Sequence, residues 1–144
     1  IAGLLRDAGV SFSQRSTASE SSVPVDVVLA DTTGELVRLM KGADIVIMGK
    51  SLAGQDEGHN LIEPALLGKP IVTGSVLRNF RFVLQVFTDA EAVKTVDSDD
   101  KLTDILGELL SSPELCSALG ERARNAMSAH GGAVSRVLEA IKLS

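Results

Sequence analysis

The stretch "ADIVIMGKSLAGQDEGHNLIEPALLGKPIVTG", residues 43–74, decides the fold. It holds two short apolar runs, "DIVIMG" at 44–49 and "KPIVTG" at 69–74, and each is typical of a strand buried in a parallel sheet. Between them a polar loop, 50–59, leads into 60–68, which starts like a helix and ends at a glycine. Strand, helix and strand in this order predict a parallel α/β unit.

The same alternation continues along the rest of the chain. Further strands are predicted at 26–31 and 92–96, with a weaker one at 10–16. Further helices are predicted at 1–9, 32–43, inside 75–91, and at 98–112, 113–131 and 133–144. We therefore expect a Rossmann-like parallel sheet flanked by helices, in a single domain of residues 1–144 whose C-terminal helices occupy 98–144.

Composition excludes several function classes. The 144 residues carry a net charge of −5 and include neither Trp nor Tyr, so the chain lacks both the basic surface and the stacking platforms of nucleic-acid-binding proteins. The single cysteine permits no intrachain disulfide. No apolar run approaches the roughly 20 residues of a membrane span. Because the sequence begins with Ile1 rather than Met, we expect it to be part of a longer protein.

Three predicted loops are candidate sites, because ligands of open α/β sheets bind at the carboxyl ends of the strands. They are 31–35, 49–51 and 58–63. The segment "GKS" at 49–51 resembles the end of a phosphate-binding loop, but Asp44 and Ile45 stand where that loop needs a glycine. No GxGxxG or GxSxG motif occurs in the sequence.

The segment 58–63 admits two interpretations. Asn60 is a good N-cap residue. The N–H groups of Leu61, Ile62 and Glu63 would then point outward as the anion-binding N-terminus of a helix. The Glu63 carboxylate would accept hydrogen bonds from two vicinal hydroxyls, such as those of a ribose. The alternative is a capping box, in which Glu63 reaches back to the N–H of Asn60.

The loop 31–35 has the same ambiguity, because Thr32 and Glu35 have the spacing of a capping box. Gly34 would then lie in the first turn of a helix, where glycine is unfavourable, and close approach of a ligand would explain it. His59 is able to donate to a phosphate or carboxylate, or simply lies on the surface. Since the two histidines are far apart and no carboxylate cluster accompanies them, we expect no metal site.

Three segments together resemble the C-terminal domain of the 3-deoxy-D-manno-octulosonic acid (Kdo) transferase family. They are "LADTTGEL" at 29–36, "ADIVIMGKSL" at 43–52 and "GHNLIEPALLGKPIVTG" at 58–74. "NF" at 79–80 and "LGERARNAMSAHGGAVSRVLEAI" at 119–141 extend the resemblance to nearly the whole chain. It rests on the pair "DTTGEL" and "GHNxxEP", because many GT-B glycosyltransferases carry a glutamate in this place and either motif alone is weak.

The resemblance implies the C-terminal half of a GT-B enzyme that binds CMP-Kdo and transfers Kdo to a lipid A precursor in lipopolysaccharide biosynthesis. The residues that it implies in CMP contact are Thr33, Gly34, Glu35, Asn60, Leu61, Ile62 and Glu63. Glu63 would bind the ribose. The helix that starts near Asn60 would face the charged part of the donor.

Members of this family are inverting, metal-independent enzymes whose catalytic base lies on the N-terminal domain. The resemblance therefore implies no catalytic residue in this chain, no metal or cofactor, and no turnover by the chain alone. The lipid A precursor would bind through the missing N-terminal domain. Membrane association, at the cytoplasmic face of the bacterial inner membrane, would come only from the missing part, and the fragment would be soluble.

The chain departs from the family pattern at three places. Lys50 replaces the second of two glycines before Ser51. Glu57 replaces a glycine before His59, and 74–80 reads "GSVLRNF" instead of "GPHTFNF". Lys50 would supply a positive contact to the phosphate or the Kdo carboxylate and, with Ser51 and His59, completes the predicted donor contacts. Two alternatives stay open: another GT-B sugar-nucleotide enzyme, such as a UDP-sugar transferase or epimerase, and a non-catalytic α/β interaction module.

Overall fold

The computed structural model describes residues 1–17, 24–52 and 58–130. The chain divides into two compact units, 1–36 and 37–144, which we call unit 1 and unit 2. Each unit builds its own sheet, and every strand pair in both sheets is parallel. The parallel α/β arrangement predicted from the sequence is therefore confirmed.

Unit 1 is a short helix followed by two paired strands. Its elements are α1 (Ala2–Asp7), β1 (Phe12–Gln14) and β2 (Val27–Leu29). Gly9 follows α1 with a φ of +68°, the left-handed conformation in which glycine commonly ends a helix. This agrees with the predicted helix at 1–9.

Two Ser–Asp pairs tie the strands of unit 1 together, one at each end. At the amino end, the hydroxyl and N–H of Ser11 both donate to Asp26. At the carboxyl end, the N–H and hydroxyl of Ser16 both donate to Asp31, the first over 2.8 Å. These exposed polar contacts hold a two-stranded sheet that has few buried residues of its own.

Unit 2 contains the larger sheet, in the order β3-β4-β5. Its elements are α2 (Leu36–Gly42, which begins at the unit boundary), β3 (Val46–Met48), a 3₁₀ turn (Gly49–Ser51), α3 (Ile62–Leu66), β4 (Ile71–Gly74), a second 3₁₀ turn (Arg78–Phe80), α4 (Arg81–Asp89), β5 (Lys94–Val96), α5 (Asp99–Ser111) and α6 (Pro113–Ala129). The helix predicted at 133–144 lies outside the described residues.

Two hydrophobic cores form in unit 2, because successive side chains of a strand point to opposite faces of the sheet. Ile71 of β4 belongs to one core, together with buried residues of α3, α4 and α6. Its neighbour Val72 belongs to the other, with Leu109 of α5 and Leu119 of α6. Helices therefore cover both faces of this sheet.

The starts of α5 and α6 follow from capping chemistry. The hydroxyl of Ser98 accepts a hydrogen bond from the N–H of Lys101, and that of Ser112 accepts one from the N–H of Leu115, both over 3.3 Å. Pro113 occupies the first position of α6, where its missing N–H costs no helical hydrogen bond. The predicted starts of both helices are confirmed to within a residue.

Close contact between two glycines fixes the end of α3 against α6. Gly68 follows α3 with a φ of +66°. A Cβ atom added to Gly120 of α6 would lie 2.0 Å from the carbonyl oxygen of Gly68, so only glycine fits there. This contact holds the short α3, and the residues that precede it, against the body of unit 2.

Candidate functional site

The segment that leads into α3 is organised by Asn60. Its side-chain oxygen accepts a hydrogen bond from the N–H of Ile62, two residues ahead, over 3.0 Å. α3 therefore begins at Ile62 instead of at residue 60, as the sequence predicted. Of the N–H groups of residues 61–63 that were predicted to face an anion, that of Ile62 is already occupied.

The side chains of Leu61 and Ile62 anchor this segment in the core. They are 0% and 1% exposed and belong to the same hydrophobic cluster. Any contact that these two residues make with a ligand must therefore come from their backbone. Burial of two large aliphatic side chains, worth about 1.5–3 kcal/mol each, holds the backbone beside Asn60 in place.

Glu63 stands out as a half-buried carboxylate. Within the described residues it makes no hydrogen bond or ion pair, so the return bond of a capping box to the N–H of Asn60 is not formed there. A carboxylate has about four acceptor sites, and those of Glu63 are open to a ligand. Its position one residue into α3 follows from the turn at Asn60.

Ser51, in contrast, uses its hydroxyl entirely inside the protein. Its Oγ donates to the carbonyl oxygen of Met48 over 2.9 Å, accepts from the N–H of Gly74 over 2.8 Å and lies 2.9 Å from the hydroxyl of Thr73. The side chain is 5% exposed. A hydroxyl offers one donor and two acceptor positions, and these partners fill them. The structure thus gives Ser51 a role in joining β3 to β4, and its hydroxyl has no capacity left for a direct donor contact.

The 3₁₀ turn that carries Ser51 lies directly against the end of β4. A Cβ atom on Gly74 would lie 1.9 Å from the carbonyl oxygen of Ser51, so the two backbones touch. Lys50 is exposed on the same turn, at the carboxyl end of β3. The sequence prediction that Lys50 lies at a strand end is confirmed, whereas its contact with a donor stays a prediction.

His59 and Gly58 precede the turn at Asn60. His59 is exposed and has no hydrogen-bond partner among the residues that the structure describes. Gly58 lies on the buried side chain of Leu77: a Cβ atom at position 58 would stand 2.8 Å from Leu77 Cδ2. Position 77 is one of the three at which this chain departs from the family's "GPHTFNF", and here its side chain supports the loop from below.

The loop after β2, in unit 1, differs from its prediction. α2 begins at Leu36, so Thr32 and Glu35 precede the helix and form no capping box across its first turn. Gly34 has a φ of +84°, and a Cβ atom there would meet nothing within 4 Å. The left-handed turn before the helix therefore explains this glycine without any ligand.

Glu35 is held by an arginine that the sequence analysis did not single out. Arg15 donates to it through Nη2 over 3.1 Å and through Nε over 3.3 Å, and the hydroxyl of Thr32 also donates to it. This pair raises the pKa of Arg15, chiefly through the hydrogen bond to Glu35. Thr33 is exposed beside them. The signal that marks Arg15 in the sequence is its position directly after the strand β1.

Asp31 is the second polar residue at this end of the β1-β2 sheet that the analysis did not select. Hydrogen bonds from the side chains of Ser16 and Gln14, and from the N–H of Ser16, lower its pKa from 3.8 to about 2. Asp31 therefore stays ionised across the physiological range. Its partners lie within unit 1, where it joins the two strands.

Searches for other kinds of site gave no candidate in the described part of the chain. No group of three or more His, Cys, Asp and Glu side chains there is arranged to hold a metal ion. None of the described helices is both long and apolar enough to cross a membrane.

Comparison with known sequences gives two close parallels, although no family model matches the chain. It is 34% identical over 142 residues to the 3-deoxy-D-manno-octulosonic acid transferase of Bordetella pertussis, and 31% identical over 143 residues to that of Haemophilus influenzae. The matches cover 98% and 99% of this chain and 33% of each relative. The chain thus spans about a third of the length of the curated relatives it matches.

A solved structure has the same fold. The crystal structure of the C-terminal CMP-Kdo binding domain of WaaA from Acinetobacter baumannii matches with a TM-score of 0.80 and 27% identity, over 88% of this chain and 65% of that one. The predicted Rossmann-like α/β fold of the C-terminal half of a GT-B glycosyltransferase is confirmed. In sequence along nearly its whole length, and in fold, the chain corresponds to the C-terminal domain of 3-deoxy-D-manno-octulosonic acid transferases.

Proposed function

We propose that this chain is the donor-binding domain of a Kdo transferase, which binds CMP-Kdo for transfer of Kdo to a lipid A precursor in lipopolysaccharide biosynthesis. The observation that carries the proposal is the half-buried Glu63 carboxylate, which has no partner among the described residues and follows the turn at Asn60. The similarity to a domain described as CMP-Kdo binding supports the choice of ligand.

Glu63 would accept hydrogen bonds from the two ribose hydroxyls of CMP. A carboxylate suits this role because bonds to an ionised acceptor are about twice as strong as those between neutral groups. Asn60 would act indirectly, since its side-chain oxygen holds the turn, while the backbone of Leu61 and Ile62 lines the approach. His59 and Lys50, both exposed, would meet the phosphate or the Kdo carboxylate.

The remaining donor contacts are proposed from the family resemblance. Thr33, Gly34 and Glu35 would contact CMP through the loop before α2. Ser51 would act by holding the turn that carries Lys50. No metal or further cofactor is proposed, because the charge of CMP-Kdo would be met by these side chains and by backbone N–H groups.

The whole enzyme would be an inverting, metal-independent glycosyltransferase whose base and lipid A-binding surface belong to another domain, at the cytoplasmic face of the inner membrane. We therefore expect no turnover from this 144-residue chain when it is given CMP-Kdo and a lipid A precursor. Release of CMP coupled to Kdo transfer, followed by mass spectrometry of the lipid, checks this. Product formation above the no-protein background would contradict the assignment of the base.

Calorimetric titration with CMP and with UMP tests the ligand. We expect CMP to bind more tightly than UMP, and Glu63→Gln to weaken CMP binding about tenfold or more, because it removes a charge-assisted hydrogen bond. Glu121→Gln, which neutralises an exposed glutamate on α6, is the matched control and should bind like the wild type. Equal affinity for UMP would favour another sugar-nucleotide enzyme, and no nucleotide binding at all would favour an interaction module.

Lys50→Ala tests the proposed contact to the charged part of the donor. Affinity for CMP-Kdo should fall more than affinity for cytidine, because only the first ligand carries a phosphate and the Kdo carboxylate. An unchanged affinity for CMP-Kdo would remove Lys50 from the site.

A further inference from the structure

Thr73 is a fully buried hydroxyl at the carboxyl end of β4. It is 0% exposed, and Ser51 is its hydrogen-bond partner within the described residues. A buried hydroxyl costs free energy unless it is hydrogen-bonded, and valine has almost the same shape without that requirement. The presence of threonine here therefore calls for an explanation in terms of what its hydroxyl holds.

The direction of the hydrogen bond follows from an inventory of the partners. The single hydrogen of the Ser51 hydroxyl is directed to the carbonyl oxygen of Met48, and Gly74 supplies its own N–H to the same Oγ. Thr73 must then donate to Ser51 over the 2.9 Å between their oxygens. Every polar atom of this buried group is satisfied in that arrangement, and only in that arrangement does each atom keep one partner.

These bonds tie the ends of two neighbouring strands together beyond the ladder that pairs them. Met48 and Thr73 are opposite each other in the β3-β4 register, and both contact the Ser51 hydroxyl. The backbone of the 3₁₀ turn is pressed against Gly74, where no side chain would fit. The position of the turn, and of Lys50 upon it, is consequently determined from β4.

We propose that Thr73 is a positioning residue for the donor: by donating to Ser51 it fixes the turn Gly49–Ser51, and so fixes Lys50 at the carboxyl edge of the sheet. The inference rests on the proposed function, since it is the donor that the turn would meet. Thr73 itself contacts no ligand in this scheme, because it is buried.

Three variants of the 144-residue chain test the proposal. Thr73→Val removes the hydroxyl and keeps the shape, whereas Thr73→Ser keeps the hydroxyl. Thr88→Val is the matched control, because it removes a hydroxyl bonded over 2.8 Å to the carbonyl oxygen of Leu84, on α4. Each variant is examined by amide NMR without ligand and by calorimetric titration with CMP-Kdo, with CMP alone as a second probe.

In Thr73→Val the amides from Gly49 to Leu52 should shift, and the N–H of Gly74 should exchange faster with solvent. CMP-Kdo should bind about fivefold more weakly, the equivalent of one hydrogen bond, while Thr73→Ser and Thr88→Val bind like the wild type. Unchanged amides in Thr73→Val, or equal losses in Thr73→Val and Thr88→Val, would overturn the proposal. Absence of CMP-Kdo binding by the wild type would instead refute the proposed function, and the amide shifts would still decide whether Thr73 holds the turn.

Discussion

The loop before α2 in unit 1 and the segment before α3 in unit 2 have the same predicted ligand but are held in different ways. Glu35 is fixed by the exposed side chains of Arg15 and Thr32, and its loop turns at a left-handed glycine. The segment before Glu63 is fixed by Leu61 and Ile62, whose side chains are buried in the core. Exposed ion pairs contribute little to stability and are screened by salt, whereas core burial contributes several kcal/mol.

This difference predicts opposite responses to mutation. Changes beneath the segment before α3 should lower the free energy of unfolding and carry the site with them. Changes around Glu35 should alter the loop and leave global stability almost untouched.

Leu61→Ala should have the largest effect. Leu61 is 0% exposed, so truncation leaves a cavity beneath Asn60, and the free energy of unfolding should fall by about 3 kcal/mol. Leu66→Ala is the control on the same helix: its side chain is 45% exposed, and about 0.5 kcal/mol is expected. Urea denaturation measures both variants, and equal losses would mean that the core does not anchor this segment.

Gly120→Ala should come next. Its new Cβ atom would meet the carbonyl oxygen of Gly68, and the cost of overpacking is about 1–3 kcal/mol. Gly107→Ala on α5 is the matched variant, since a Cβ atom there meets nothing within 4 Å, and it should stabilise the protein by about 0.5–1 kcal/mol. Thermal melts should therefore move in opposite directions. A stabilised Gly120→Ala protein would show that α3 and α6 lie further apart.

The pKa of Asp31 gives a smaller effect, confined to low pH. Because hydrogen bonds lower this pKa to about 2 in the folded chain, the ionised group stabilises unit 1 above pH 3.8, and the contribution is lost as the pH falls through 2. Side-chain carboxyl NMR should find the low pKa, and Ser16→Ala should raise it toward 3.8. Titration of wild-type Asp31 near 3.8 would contradict the clasp at this end of the sheet.

Arg15→Ala should have the smallest effect on stability. The melting temperature should stay within the error of a thermal melt, because the ion pair with Glu35 is largely exposed. The amides of Gly34 and Glu35 should nevertheless shift, since the contacts that hold the loop are gone. Lys101→Ala, which removes another exposed pair, with Asp97, is the control and should leave those amides unchanged. A large drop in melting temperature would erase the contrast between the two regions.

The sequence predicted what depends on local chemistry. The N-caps Ser98 and Ser112, the proline at the start of α6 and the turn at Asn60 all act over two or three residues. The order of strands and helices followed from apolar runs, and the family resemblance supplied the fold. Local patterns of this kind carry their own physical cause, so they were predicted correctly.

What the sequence did not predict depends on residues that are distant along the chain. Arg15 lies 20 positions from Glu35, and Ser51 lies 22 positions from Thr73. Pairing over such distances decides whether a hydroxyl points inward or a glutamate caps a helix. Ser51 and the start of α2 were misjudged for that reason.

The measurement that tests the account most directly is an amide NMR titration of the isotope-labelled chain with CMP. We predict saturable shifts at Asn60–Glu63 and at Gly34 and Glu35, and we predict that they are lost in Glu63→Gln and retained in Glu121→Gln. Shifts confined to other parts of the chain, or shifts at these residues that persist in Glu63→Gln, would contradict the assignment of Glu63 as the ligand of the ribose.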